Sequence, residues 1–365
     1  MKKWSFLLIA SFLVLISNGQ EFSIIHDSLT RTYRLHLPVN YTPDSLFPLV
    51  INMHGLGSNA MEQEIYTSFN NVSDTGRFIV VYPNGIDEAW NVTSGNGIDD
   101  VGFISALIDT LALLYTIDLN RVYATGMSMG GFMSYRLACQ LSDRIAAIAS
   151  VAGLQAFNPC TPGRPVPVAQ FHGTADQVVP YIGVSTTINN WVNNNGCPSA
   201  PVITELPDID PNDNSTVTVS YYGLCDDSSE VILYTIVGGE HTWPGAVINI
   251  GITNQDIKAS NEIWGFFRKY TLQGSTGLND PINSDFFQPE VYPNPVLNDL
   301  TIELKTSKMS PYNIRIIDFS GLVRYDLNGI WKERIIINCT DIPCGLYMLE
   351  ISNEQGRSYR KICIQ

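Results

Sequence analysis

Basic side chains are scarce in this chain of 365 residues: Lys and Arg number 21 against 35 Asp and Glu, a net charge of −14. So acidic a chain offers no general basic face, which argues against broad nucleic-acid binding and against adhesion to anionic membranes. Charged residues of both signs make up only 15% while 45% are hydrophobic, and mean hydropathy is +0.04. That is enough apolar material for a sizeable core and argues against wholesale disorder. Beyond the N-terminus no run is long and apolar enough to span a bilayer, so no stable membrane insertion is expected. No C-x-x-C pair occurs among the seven Cys, which makes a cysteine zinc site a poor reading; no metal and no organic cofactor are expected. His is rarer still, at five, so any chemistry that needs an imidazole has few candidates.

What is present begins with an export signal. Residues 1–19 carry Lys2 and Lys3, an apolar run from Trp4 to Ile16, and small residues at Ser17 and Gly19. This is the pattern of a secretory signal with its cut after Gly19. The run is short for a hydrocarbon layer of about 30 Å, and no Cys follows it to take a lipid. The mature chain is therefore expected outside the cytoplasm, where disulfides are allowed.

The length suggests two or three folded units. After Tyr270 the stretch "TLQGSTGLNDPINSDFFQPE" loses apolar periodicity, and residues 273–288 read as a linker. From 289 to 365 short alternating runs ("LTIEL", "YNIRIIDF", "ERIIINC", "GLYMLEIS", "RKICIQ") are separated by turn residues such as Ser320-Gly321, Asn328-Gly329 and Pro343-Cys344-Gly345. That pattern predicts a small all-β sandwich. Three features, "VYPNP" (Val291 to Pro295), "IRIIDFSG" (Ile314 to Gly321) and "DIPCGLYMLEI" (Asp341 to Ile351), together with Arg360 and Lys361, resemble the type A sorting domain of the type IX secretion system. The resemblance implies the type IX secretion machinery as a partner and passage through the periplasm of a Gram-negative bacterium to the outside or the cell surface. The alternative is a carbohydrate-binding or adhesive sandwich.

Residues 20–272 alternate Val/Ile-rich runs ("FPLVINMHG", "RFIVVYP", "RVYATGMS", "IAAIASVAG", "VPVAQFHG", "EVILYTIVGG") with helical stretches ("DDVGFISALIDTLALLYT", "GGFMSYRLACQLSD"). Near-continuous apolar strands separated by helices predict an α/β fold with a doubly wound, mostly parallel sheet. Gly126-Met127-Ser128-Met129-Gly130 is a G-x-S-x-G pattern between a strand and a helix, the context in which such a turn presents a nucleophile. A serine hydroxyl needs a base. In an α/β-hydrolase the order is nucleophile, acid, histidine. Of His26, His36, His54, His172 and His241, only the last two follow Ser128, and His172 leaves little room for an acid before it. His241 is the expected base. Asp176, just past a strand end in "FHGTADQVVPY", is the expected acid; Asp143, Asp208, Asp210 and Asp213 are its rivals. The oxyanion should meet the N–H groups of Met129 and of Leu56 in "MHGLGSN", with His54 holding that loop. Trp90 and Trp243 are candidates to stack on a substrate ring, or core residues.

The segments "MHGLGSN", "YPNG" with Trp90-Asn91, "DDVGFISALIDTL", "RVYATGMSMGGFMSYRLAC", "FHGTADQVVPY" and "GGEHTWPG" resemble the polyhydroxybutyrate depolymerase and feruloyl esterase group of α/β-hydrolases, of carbohydrate esterase family 1 type. The resemblance runs over nearly all of 30–270 and implies a triad of Ser128, Asp176 and His241. Met129 and Leu56 stand where many members carry Asn or Gln and Cys; both roles use the main chain, so the oxyanion site is expected to survive, with the pocket beside it altered. It implies a secreted serine carboxylesterase acting on feruloyl or acetyl esters of plant polysaccharide, or on a polyester such as polyhydroxybutyrate. The competing class is an inactive hydrolase scaffold that binds carbohydrate. Of the three pairings open to Cys139, Cys160, Cys197 and Cys225, the local ones, Cys139 with Cys160 and Cys197 with Cys225, are favoured; the tail keeps Cys339, Cys344 and Cys363. "DIDPNDNS" (Asp208 to Ser215) starts like a calcium loop but lacks its Gly and its final Glu, and reads as a solvated turn. The charge is unevenly shared: 289–365 is neutral, while 20–288 holds 26 acidic and 10 basic residues, or −16.

Overall fold

The computed structural model describes residues 21–93, 95, 97–272, 274–275, 288–305, 311–318, 323–332, 334–353 and 356–365. The secretory signal at 1–19 and most of the linker lie outside the described residues, as does the Ser320-Gly321 turn. The chain divides into two compact units, Met1–Thr276 and Gly277–Gln365.

The first unit is built on one sheet of ten strands: β1 (Glu21–His26), β2 (Leu29–His36), β3 (Phe47–Met53), β4 (Ile79–Pro83), β5 (Ile117–Met127), β6 (Ala147–Val151), β7 (Val168–Gly173), β8 (Val202–Glu205), β9 (Thr216–Tyr222) and β10 (Val231–Val237). Their order across the sheet is β1-β2-β4-β3-β5-β6-β7-β10-β9-β8. The six central strands, β4 to β10, are parallel, and the two at each edge run antiparallel. This is the mostly parallel, doubly wound sheet of an α/β-hydrolase. Residues of β3 are buried along its whole length, as a strand covered on both faces requires. Alternate side chains then feed two separate cores. Leu49, Ile51 and Met53 join Phe103, Leu107, Tyr135 and Trp191 from α3 (Asp100–Leu114), α4 (Met129–Gln140) and α5 (Val184–Asn194). Val50 joins Tyr66, Phe69, Ile263 and Phe267 from α1 (Ala60–Thr67), α2 (Phe69–Gly76) and α6 (Ala259–Phe267) on the other face.

Local chemistry starts the helices where function needs them. Asp99 caps α3 by accepting the Gly102 N–H at 2.9 Å, and Asn59 caps α1 by accepting the Glu62 N–H at 3.1 Å, filling donors a helix start leaves unpaired. Cys139 is bonded to Cys160 and Cys197 to Cys225, the pairing the local spacing favours. A short hairpin, β11 (Tyr270–Thr271) with β12 (Gly274–Ser275), closes the unit, so its described part runs past residue 272.

The second unit has two antiparallel sheets. One is β13 (Gln288–Tyr292), β14 (Asp299–Lys305) and β17 (Arg334–Asn338); the other is β16 (Val323–Ile330), β15 (Tyr312–Asp318), β18 (Gly345–Asn353) and β19 (Gly356–Ile364). Leu300, Ile302 and Ile337 of the first share a core with Ile314, Leu349 and Ile362 of the second, so this is a small sandwich. Asn328-Gly329 does not separate strands here. It lies inside β16, where the register with β15 shifts and Gly329 takes φ 68°. A left-handed glycine absorbs the extra residue of a bulge as readily as it makes a turn.

The close packing at Gly130 can be tested against an open glycine in the same unit. A Cβ on Gly130 would strike the Met53 carbonyl and stand 2.8 Å from the His54 oxygen, whereas one on Gly265 in α6 would meet nothing within 4 Å. Gly130→Ala should destabilise by about 1–3 kcal/mol or more; Gly265→Ala should stabilise by about 0.5–1 kcal/mol. Urea unfolding followed by Trp fluorescence separates the two, and equal effects would refute the close approach.

Candidate active site

Ser128 stands at the turn from β5 into α4 with φ 51° and ψ −118°. A non-glycine residue held there stores about 1–3 kcal/mol. Its neighbours hold it in place: the Ser128 N–H donates to the Val151 oxygen at 2.8 Å, and the Phe132 N–H donates to the Ser128 oxygen at 3.0 Å. A Cβ on Gly126 would lie 2.5 Å from the Met53 oxygen, and one on Gly153 would lie 2.7 Å from the Ser128 oxygen. The ends of β3 and β6 therefore close on this turn from both sides, and the flanking glycines are what lets them.

The loop after β3 lies against the same turn. A Cβ on Gly55 would be 3.4 Å from the Ser128 Cβ. Among the described residues, neither the Leu56 N–H nor the Met129 N–H donates to a main-chain acceptor outside regular helices and strands. His54 is buried and fixes the loop from below: its Nε2 accepts the Gly85 N–H at 3.0 Å, so Nδ1 carries the proton and donates to the Gly55 oxygen at 2.7 Å. Trp90 is 2% exposed. Its ring N–H donates to the His54 oxygen at 3.0 Å and its main-chain N–H to the Met129 sulfur at 3.2 Å. It therefore braces both candidate oxyanion segments and has no open face for a substrate ring. Behind it, Asp100 accepts the Asn91 N–H and an Arg31 N–H, each at 2.6 Å, in an ion pair that is 1% exposed on both sides. The guanidinium also donates to the Asn84 oxygen at 3.3 Å and lies 3.8 Å over the Phe103 ring, while its Nε is buried without a hydrogen-bond partner among the described residues.

Asp176 and His241 meet. The His241 Nδ1–H donates to Asp176 Oδ2 at 2.7 Å, while Asp176 Oδ1 accepts the N–H groups of Val178 at 2.9 Å and Val179 at 2.8 Å. Their two loops are laced together: the Ala175 N–H donates to the Gly239 oxygen at 2.9 Å and the Gly238 N–H to the Thr174 hydroxyl at 2.8 Å. Glu240 ties the far side of the His241 loop by accepting the Ile252 N–H at 2.9 Å. Trp243 is 1% exposed and donates its ring N–H to the Ser260 hydroxyl at 3.1 Å, so it too is a brace rather than a wall of the site. Asp208 to Ser215 is more than a solvated turn. Asp213 accepts the Gln255 N–H at 2.6 Å, and Asp256 accepts the N–H groups of Ile209 and Asp210 at 2.6 and 3.0 Å, which anchors the segment that follows the His241 loop. Among the described residues, Asp143, the remaining rival acid, makes no hydrogen bond or ion pair with His241, whose carboxylate partner is Asp176.

Residues of metal-ligand type also gather at His26, Asp27 and Asp99, at the start of α3, on the surface. The His26 Nε2 to Asp99 distance is 3.2 Å, and Asp99 is already occupied as the helix cap.

Residues 96–199 match the phospholipase/carboxylesterase family, and residues 290–365 match the secretion system C-terminal sorting domain. The "Probable feruloyl esterase C" of Aspergillus flavus is 32% identical over 184 residues, which are 49% of this chain and 67% of that one. The chain belongs to the feruloyl esterase family of carboxylic ester hydrolases. The bifunctional acetylxylan esterase/xylanase XynS20E of Neocallimastix patriciarum is 30% identical over 247 residues, or 67% of this chain, and this chain spans 34% of that relative's length. The solved acetyl xylan esterase from Aspergillus awamori superposes with a TM-score of 0.51 at 18% identity, covering 68% of this chain and all of that one, which is a likeness of fold. The sorting domain makes this feruloyl esterase relative an exported protein, secreted or held at the cell surface.

The electrostatics of this esterase site separate its ionisable groups. Burial alone would raise the Asp176 pKa, but the hydrogen bonds from His241, Val179 and Val178 outweigh it and hold the carboxyl below its ordinary range. Burial lowers His54 and His172 below the usual imidazole value, against the pull of their carbonyl partners. For the two histidines the unfolded chain binds more protons than the folded one at mildly acid pH, so stability rises with pH there and is lost as pH falls below about 6.5. Asp176 contributes in a different window: its stabilisation is complete above about pH 4 and is lost only as pH falls through its lowered value. Melting temperature should therefore decline between pH 6.5 and 5, and His172→Gln should flatten that decline. A melting temperature constant across this interval would contradict the buried neutral histidines.

Proposed function

We propose that the first unit hydrolyses feruloyl or acetyl esters on plant polysaccharide through an acyl-enzyme. The observation that carries this reading is the Asp176–His241 hydrogen bond, with the second oxygen of Asp176 capped by two N–H groups, in a fold whose strained β5–α4 turn carries Ser128. In this mechanism the Ser128 hydroxyl attacks the ester carbonyl while His241 takes its proton. The imidazolium that forms is stabilised by Asp176, which also keeps the other ring nitrogen free as the base. The N–H groups of Leu56 and Met129 receive the oxyanion; one such donor is worth about 100- to 1000-fold in rate. His241 then protonates the leaving alcohol, and water repeats the sequence on the acyl-Ser128.

The substrate class is supported by the relatives, whose names are those of a feruloyl esterase and an acetylxylan esterase. The charge of −16 over 20–288 fits neutral polymers better than polyanions. We further propose that residues 290–365 engage the type IX secretion machinery after passage through the periplasm of a Gram-negative cell.

Ser128→Ala should lower hydrolysis of a short chromogenic ester by about 1000-fold or more with the far-ultraviolet circular dichroism unchanged. An unaltered rate would refute the assignment, and a wild-type protein that fails to react with a fluorophosphonate probe would point to an inactive binding scaffold. Incubation with feruloylated arabinoxylan, acetylated xylan and polyhydroxybutyrate film, followed by identification of the released acids, decides the substrate: ferulate or acetate is expected, and hydroxybutyrate would replace the polysaccharide reading with a polyester one.

A further inference from the structure

A second histidine lies under the acid of the site. His172, at the end of β7, is fully enclosed, and its Nε2 is 3.5 Å from Asp176 Oδ2, the oxygen that receives His241. A chain of hydrogen bonds settles its state. The Tyr135 hydroxyl donates to Gln170 Oε1 at 2.7 Å, which turns the Gln170 amide nitrogen toward His172 Nδ1 at 3.0 Å. That amide also donates to the Gly153 oxygen at 2.9 Å, consistent with the same orientation. His172 Nδ1 must then accept, so Nε2 carries the proton and donates to the Val179 oxygen at 2.7 Å. Val179 is one of the two residues whose N–H groups hold Asp176 Oδ1.

We propose that His172 is a positioning residue for the esterase reaction: its neutral Nε2–H clamps the Val179 carbonyl, which fixes the 176–179 turn and so aims Asp176 Oδ2 at His241. The inference rests on the serine-esterase reading above. Both N–H groups on Asp176 Oδ1 belong to the clamped turn, so a loosened Val179 frees the carboxylate to rotate away from His241. A misplacement of about 1 Å in a reacting constellation costs about 100-fold. Neutrality is part of the device. An imidazolium at 172 would compete with His241 for the same carboxylate oxygen, and Gln170, presenting a donor to Nδ1, opposes that charge. The other titratable groups facing His172 are His241, Tyr135 through Gln170, and Tyr181, whose ring centre is 6.0 Å away.

The test compares the full mature protein with His172→Gln, His172→Leu and Gln170→Glu, measuring kcat and KM for a chromogenic ester together with melting temperature. A glutamine can place an N–H near the imidazole Nε2 position; a leucine cannot. His172→Leu should lose about 10- to 100-fold in kcat with KM within about twofold, and His172→Gln should stay within about threefold of wild type. Gln170→Glu gives Nδ1 an acceptor that favours the imidazolium, so its kcat should fall as pH is lowered and recover at higher pH; it decides the matter if the leucine variant does not fold. Equal losses in His172→Leu and His172→Gln, or a Gln170→Glu profile superimposable on wild type, would overturn the inference while wild-type activity and its loss in Ser128→Ala left the esterase reading standing. Failure of the wild type to hydrolyse any ester would remove that reading and this one together.

Discussion

The carbonyl of Met53 is the contact on which the site depends. It ends β3 and touches both glycines of the turn that carries Ser128, so that no side chain fits at 126 or 130. That approach brings the loop bearing Leu56 beside Ser128 and lets α4 begin there. Hydrophobic burial of β3 on both faces drives it, and the strain at Ser128 is the local cost.

Buried polar groups then set orientation. Two are paired in a way that leaves one arrangement: His54 between two main-chain groups, and Gln170 between Tyr135 and His172. In a low-dielectric interior a half-satisfied group is expensive, so these networks are rigid supports. Two tryptophans that look like substrate contacts in the sequence serve the same end. Trp90 braces the Leu56 and Met129 segments, and Trp243 ties the His241 loop to α6 through Ser260.

The two units divide export from chemistry. The tail is electrically neutral and the catalytic part strongly acidic. The sorting domain supplies a route of export without adding net charge that would change what the catalytic unit attracts.

Composition and local pattern determined much by themselves. Runs of Val and Ile on either side of helical periods specify a parallel sheet, because only a strand covered on both faces tolerates such a run. The G-x-S-x-G turn is legible because its glycines are a steric requirement, and Asp176 and His241 are legible because each follows a strand end in the order such a site needs. Tertiary structure alone decided the rest. The antiparallel edge strands β8 and β9 carry weak local signals. Asn328-Gly329 serves a bulge or a turn equally well. The fates of Trp90, Trp243 and Asp208 to Ser215 depend on partners 17 to 47 residues away, and the state of His172 depends on Gln170, which Tyr135 orients from 35 residues away. Hydrogen bonds across such separations leave no period in the sequence; they exist only once the sheet has brought its strand ends together.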